Sequence, residues 1–307
     1  MSMILVVIDP DETEHAGLDR IKAMPVDDIH FMVNIYIERY STTLRDRQSQ
    51  ARPRLVNQAP TANSRLAWLE QLVQPIRDLG YKIETAVVLF DRLYEAIIQS
   101  AASCHADFVF KPLRQHGFLR RALFSATDWN LVRCCPQPLL LISHAYPIKG
   151  KPVLAAVDVA AADEPHIELN RIVLAQARLF AVLLASHPHL VNAFSLSPLT
   201  GASPIADPLA YQVMRQRHQQ QLDVAVKLGQ GYQIEPERIY LREGPAEAVI
   251  NDRAAEIGAG VIVMGTVARS GVSGLFIGNT AEAVMEHTQC DVVVVKQADF
   301  KSPVRPA

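Results

Sequence analysis

Consecutive apolar runs rich in β-branched residues punctuate the chain, and between them lie longer stretches with apolar residues every three or four positions. In the second half the runs fall at 153–158, about 189–196, 237–242, 260–265 and 291–296, with helical periodicity near 164–185, 207–229, 244–257 and 278–288. The first half gives strands at 3–8, about 29–37, 82–89, 107–111 and 138–143, and a first helix near 12–24 that is shorter than its counterpart. Runs such as Val292 to Val295 show no polar alternation, which fits strands covered on both faces. Alternating strands and helices then predict right-handed crossovers and a doubly wound α/β architecture. Gly229 and Gly231 follow a helical run, where a C-terminal cap is expected.

The two halves repeat one another. Met3-Ile4-Leu5-Val6-Val7-Ile8-Asp9 is apolar and ends in an acid, as does Val153-Leu154-Ala155-Ala156-Val157-Asp158, offset by 149 positions. Tyr94-Glu95-Ala96-Ile97-Ile98 returns as Ala246-Glu247-Ala248-Val249-Ile250, offset by 152, and Ala106 to Phe110 returns as Ala259 to Val263, offset by 153. Pro138 to Ile142 and Asp291 to Val295 are also 153 apart. Four matches in one order indicate a duplication with small insertions. Ser143-His144-Ala145-Tyr146-Pro147-Ile148-Lys149-Gly150-Lys151-Pro152 marks the boundary between two domains, 1–147 and 148–307. Loop-like segments at 52–63 and 195–208 each follow the second strand of their half.

Composition narrows the class without changing the fold. A net charge of −2 gives no electrostatic basis for nucleic-acid or anionic-lipid binding. The most apolar helical run, Ile172 to Ser186, is too short for a membrane span and carries Gln176 and Arg178. The start of the chain has no basic region before its first strand, so a signal peptide is not expected. Cys104, Cys134, Cys135 and Cys290 form no C-x-x-C and read as reduced, buried thiols. His187 and His189 flank a proline without a third neighbouring ligand, which argues against a metal.

The densest candidate chemistry runs from Gly265 to Thr280. A buried strand ends at Gly265, a glycine-rich loop follows, and a helix starts near Gly278. Glycines let backbone approach phosphate oxygens, and helix-start N–H groups favour negative charge. Asn279 and Thr280 can cap that helix or donate to an anion. No G-x-S-x-G, G-x-x-x-x-G-K-[ST] or H-E-x-x-H motif is present.

This stretch resembles the G-x2-G-x9-G-[ST] loop of the universal stress protein family, whose nucleotide-binding members wrap ATP with it. Gly265 and Gly278 occupy the outer glycine positions, Ala268 the middle one and Asn279 the Ser/Thr position. Asp158 and Asp9 match the family's acid at the end of the first strand. The first half carries Pro112, Gln115, Ser125 and Ala126 at the loop's key positions, so no glycine survives there. The resemblance implies two tandem Rossmann-like domains, each a five-stranded parallel sheet flanked by helices. They would meet through 138–142 and 291–295 as a pseudo-dimer, with a homodimer of chains left open. It implies a cytoplasmic stress-response and DNA-damage-survival protein that binds a small-molecule ligand without catalysis. The expected ligand site comprises Asp158, Gly265, Thr266, Ala268, Gly278, Asn279 and Thr280, with ATP as candidate cofactor in the second domain alone. Two alternatives stand beside it: an ATP switch with slow hydrolysis, and a carrier of an apolar or lipid-like ligand.

Overall fold

The computed structural model describes residues 2–38, 62–115, 122–143, 146–161, 163–194, 208–266 and 277–305. The loop segments predicted at 52–63 and 195–208 lie almost wholly outside these residues, as does Ala268. The first half runs β1 (Ser2–Ile8), α1 (Ala16–Ala23), β2 (Ile29–Glu38), α2 (Ala62–Arg77), β3 (Lys82–Phe90), α3 (Leu93–Ser103), β4 (Phe108–Pro112), a short ribbon β5 (Arg114–Gln115) and β6 (Ala122–Leu123), α4 (Ala126–Cys134) and β7 (Leu139–Ile142). The second runs β8 (Val153–Ala156), α5 (Glu164–Leu183), β9 (Pro188–Phe194), α6 (Pro208–Gln230), β10 (Ile239–Glu243), α7 (Ala246–Ile257), β11 (Val261–Gly265), α8 (Asn279–His287) and β12 (Asp291–Val295).

Each half is a parallel five-stranded sheet, and the two sheets join into one of ten strands ordered β10-β9-β8-β11-β12-β7-β4-β1-β2-β3. The join is antiparallel, with Val292, Val293 and Val294 opposite Leu141, Leu140 and Leu139. These are the two runs expected to meet, and all six residues are buried. Apolar side chains on both faces explain why these strands lack alternation: one face carries Leu140 and Val293, the other Leu141 and Val292.

Polar groups pin the seam. Asp291, which opens β12, is buried, and Arg20 of α1 reaches it from the other half with Nε–Oδ2 2.5 Å and Nη2–Oδ1 3.1 Å. The same guanidinium donates to the Tyr146 carbonyl at 2.8 Å, and the Ser143 N–H donates to Asp291 Oδ1 at 3.0 Å. The Ser143 hydroxyl donates to the Gln289 carbonyl at 3.0 Å, and Lys296 donates to the Val132 carbonyl. Cys134, Cys135 and Cys290 are buried free thiols, and burial pushes Cys135 up to about 12.

Two local expectations change. The helix expected from residue 12 starts at Ala16, because Asp9 turns the chain back by accepting the Asp11 N–H at 3.1 Å. Gly229 lies inside the last turn of α6 instead of after it; a Cβ there would meet Ile239 Cδ1 at 2.8 Å, so close packing explains the glycine.

Asp291→Ala leaves the Arg20 guanidinium buried without its carboxylate, and we expect a loss of about 3–5 kcal/mol in chemical denaturation. Arg20→Met combined with Asp291→Leu should recover much of that loss. Additive effects of the two substitutions would show that the pair does not act as a unit.

Candidate functional site

In an open parallel sheet, the crevice for a ligand forms beyond the carboxyl ends of the strands, where the chain leaves neighbouring strands in opposite directions. In the second half this point lies between β8 and β11, which are hydrogen-bonded neighbours. A cleft of about 340 Å³ opens there, lined by Ala156, Asp158, Asn170, Met264, Gly265, Gly278 and Thr280. Of the expected set, then, Asp158, Gly265, Gly278 and Thr280 converge on one cleft.

The remaining members behave differently. Asn279 opens α8 and is exposed, but it is not part of the cleft wall. Thr266 is buried; its hydroxyl accepts from Lys296 Nζ at 2.6 Å and its N–H donates to the Val295 carbonyl at 3.0 Å. It anchors the start of the loop and does not face the cleft. Ala268 lies outside the described residues. Sequence reasoning passed over Asn170 and His166. Asn170 clasps the Asp158 backbone, accepting its N–H at 3.0 Å and donating to its carbonyl at 2.7 Å. His166 also lines the cleft, with Nδ1 2.5 Å from Oδ1 of Asp163, the N-cap of α5. The Asp-x-x-His spacing at a helix start was the legible signal for this cap.

The two outer glycines are glycine for different reasons. A Cβ on Gly265 would lie 2.5 Å from Leu169 Cδ2, so the close fit of α5 over β11 excludes a side chain there. Gly278 has φ −66° and ψ 141°, a conformation open to any residue, and a Cβ there would meet nothing within 4 Å among the described residues. The chain's own described packing and geometry therefore do not require glycine at 278. Gly278 is also the N-cap of α8 and supplies no side-chain cap, so the first N–H groups of the helix, beside the cleft, receive no side-chain acceptor from that position.

The first half closes the matching place from within. Ser125, the counterpart of Gly278, caps α4 by accepting the Asp128 N–H at 3.2 Å, and Asp128 Oδ2 accepts the Ser125 N–H at 2.7 Å. Asp128 is fully buried, with Lys111 Nζ 3.0 Å from its Oδ1. A carboxylate of the chain thus sits at the start of α4, where the helix dipole favours negative charge, and a lysine of β4 compensates its charge. Asp9 is engaged as well, held by Arg114 at 3.0 Å.

The profile of the universal stress protein family matches residues 151–296. Universal stress protein E of Escherichia coli strain K12 is 32% identical over 98% of this chain and 96% of its own length. The crystal structure of a protein of unknown function from Pseudomonas aeruginosa PAO1 is similar at a TM-score of 0.75 and 28% identity, covering 97% of this chain and 93% of the other. A universal stress protein from Archaeoglobus fulgidus DSM 4304 shares the fold at a TM-score of 0.60 and 16% identity, covering 96% and 98%.

Gly265→Ala should lower stability by about 1–3 kcal/mol, since Leu169 must move, whereas Gly278→Ser should change it by no more than about 0.5 kcal/mol or raise it by adding a cap. Equal losses in urea denaturation would refute the distinction. Lys296 gives a second test. Burial lowers its pKa from 10.5 to about 8. Between those values the unfolded chain binds more protons than the folded one, so stability rises with pH. Relative to Lys296→Met, the natural chain should gain about 1 kcal/mol per pH unit above pH 8; a pH-independent difference between the two would contradict this.

Proposed function

The chain belongs to the universal stress protein family, and on that premise we propose that it is a non-enzymatic binding protein of the stress response whose second half takes a nucleotide-type anion, with ATP as the reference ligand. The observation that carries this reading is Gly278, a glycine that neither backbone conformation nor described neighbours require, at the uncapped start of α8. ATP brings a polyphosphate whose charge the N–H groups of that helix start can meet. Asn279 and Thr280 stand in the first turn as additional donors. Asp158, at the other side of the cleft, is an acceptor suited to a hydroxyl or exocyclic amine of a nucleoside. Gly265 and Thr266 hold the base of the loop, and Ala268 is assigned to its wall by the family pattern alone.

In this reading the first half is not a second nucleotide site, because Asp128 and Lys111 fill its anion position. The reading keeps two domains, 1–147 and 148–307, with the boundary in the connection between β7 and β8, and a cytoplasmic location as the family resemblance implies. Among the described residues no helix is long and apolar enough to cross a membrane.

Calorimetry and thermal melts on the full chain test the proposal. ATP at tenfold excess over its Kd should raise Tm by about 2–4 °C. Gly278→Arg should remove that shift and leave the unliganded Tm nearly unchanged, since its side chain enters open space. No shift with the natural chain, or the same shift with Gly278→Arg, rejects the site.

A further inference from the structure

The first half contains a second, separate opening. A groove of about 670 Å³ runs beside α3 over the free face of β2 and β3, away from the strand ends that form the nucleotide cleft. Its apolar wall comprises Met3, Met32, Ala86, Val88, Leu89 and Ala96. Asn34, Gln99, Ser100, Ser103 and Cys104 add neutral polar groups, and Glu84 is the one charged residue of the lining among the described residues.

The duplicate half shows what this place looks like when the chain fills it. Ile4 pairs with Phe31 as Val153 pairs with Pro188, which makes Met32 the counterpart of His189. Val33 pairs with Thr85 as Leu190 pairs with Ile239, so Ala86 and Val88 correspond to Tyr240 and Arg242. The buried residues Ala96, Ile97 and Ala101 of α3 fall on Val249, Ile250 and Ala254 of α7, an offset of 153, one more than the letter match gave. Ser100 and Ser103 therefore correspond to Arg253 and Glu256.

In the second half those large residues occupy the space. Arg253 lies 3.9 Å over the Tyr240 ring, His189 stacks on the same ring with Nδ1 3.0 Å from the Tyr240 hydroxyl, and Arg242 pairs with Glu256 at 3.2 Å. In the first half alanine, valine and two serines stand in their places, and the groove is open.

The floor of the groove carries an unmet hydrogen bond. Asn34 is 3% exposed; its Nδ2 lies 3.4 Å from the Tyr36 hydroxyl, and its Oδ1 has no partner among the described residues. Turning the amide over exchanges the atoms and leaves the other end unpartnered. A buried amide end without a partner costs about 1–3 kcal/mol, and a ligand reaching the floor would remove that cost.

We propose that this groove binds an uncharged amphiphile, an apolar chain or ring bearing one hydroxyl or N–H group, with the apolar part along Met32, Ala86 and Val88 and the polar group at Asn34. Among the described residues the lining holds a carboxylate and no cation, so it selects against carboxylates and phosphates. This is a different ligand class and a different place from the nucleotide cleft, and the two can fail separately.

Titration calorimetry with 1-octanol and octanoate, which share a chain length, tests the assignment on the full chain. Saturable octanol binding is expected, with octanoate at least tenfold weaker. Ala86→Tyr and Ser100→Arg, which import the residues of the second half, should each abolish octanol binding, and Asn34→Leu should weaken it at least threefold. Circular dichroism identifies which variants are folded. Octanol binding unchanged in either folded filling variant, octanoate binding as tight as octanol, or no saturable binding overturns the proposal. So does a dimer that Ala86→Tyr converts to monomer in light scattering, which would make the groove a contact between copies of the chain.

Discussion

Asp291 begins β12 as a charged residue in a fully buried position, and the joining of the two halves depends on how that charge is met. Both carboxylate oxygens are used: Arg20 takes them in a fork, and the Ser143 backbone adds a third hydrogen bond. The partners come from α1, from the connection after β7 and from β12, so one ion pair fixes three segments belonging to two halves. A buried pair of this kind contributes little net stability beside an apolar substitute, but a misaligned one is heavily penalised. It therefore acts on register. A one-residue slip of β12 against β7 would turn Val292, Val293 and Val294 to the wrong faces and would also strand Asp291 from Arg20. Apolar pairing gives the seam its cohesion, and the ion pair makes one alignment preferred.

With the seam set, the duplicated halves diverge in a reciprocal way. At the strand ends, the first half supplies its own anion, Asp128, and its own cation, Lys111, while the second leaves Gly278 and a bare helix start. Beside the third helix of each half the roles reverse. The second half packs Tyr240 under Arg253, and the first leaves Ala86 and Ser100 around an open groove. Neither half is simply the eroded copy. Each fills one of two inherited positions and keeps the other open, and the fillings differ in chemistry: an ion pair at the strand ends, a cation over a ring beside the helix.

The architecture was legible because it rests on periodicity. The apolar runs marked the ten strands of the main sheet, and the family resemblance, carried by the loop residues, implied that 138–142 and 291–295 are the two strands that meet. The site was legible only in part. Gly265 and Gly278 look alike as letters, yet one is demanded by Leu169 and the other by nothing the described structure contains. Thr266 fits the loop pattern, but its hydroxyl is taken by Lys296, thirty residues later in the chain. Asn170 had no motif at all; it matters because α5 carries it back over β8. The groove beside α3 was invisible for a related reason. It is made by the absence of bulk at Ala86, Val88, Ser100 and Ser103, and small residues in a strand and a helix carry no signal until the second copy shows what would fill them.

The open groove also bears on why a duplication would keep Asn34. Its counterpart in the second half is Val191, fully buried and apolar. Exchanging a buried amide whose Oδ1 has no partner among the described residues for an apolar side chain of similar size removes a desolvation cost at a single substitution, and the other half already shows that an apolar residue is compatible with the fold at that position. Filling the space above it would recover dispersion contacts as well. The first half shows neither, although at its strand ends Ser125, Asp128 and Lys111 satisfy one another. Stability alone favours the filled, apolar version at both places. A retained amide under an unfilled groove is accounted for by something outside the chain that supplies both the missing donor and the missing bulk, and a single amphiphilic molecule meets both needs at once.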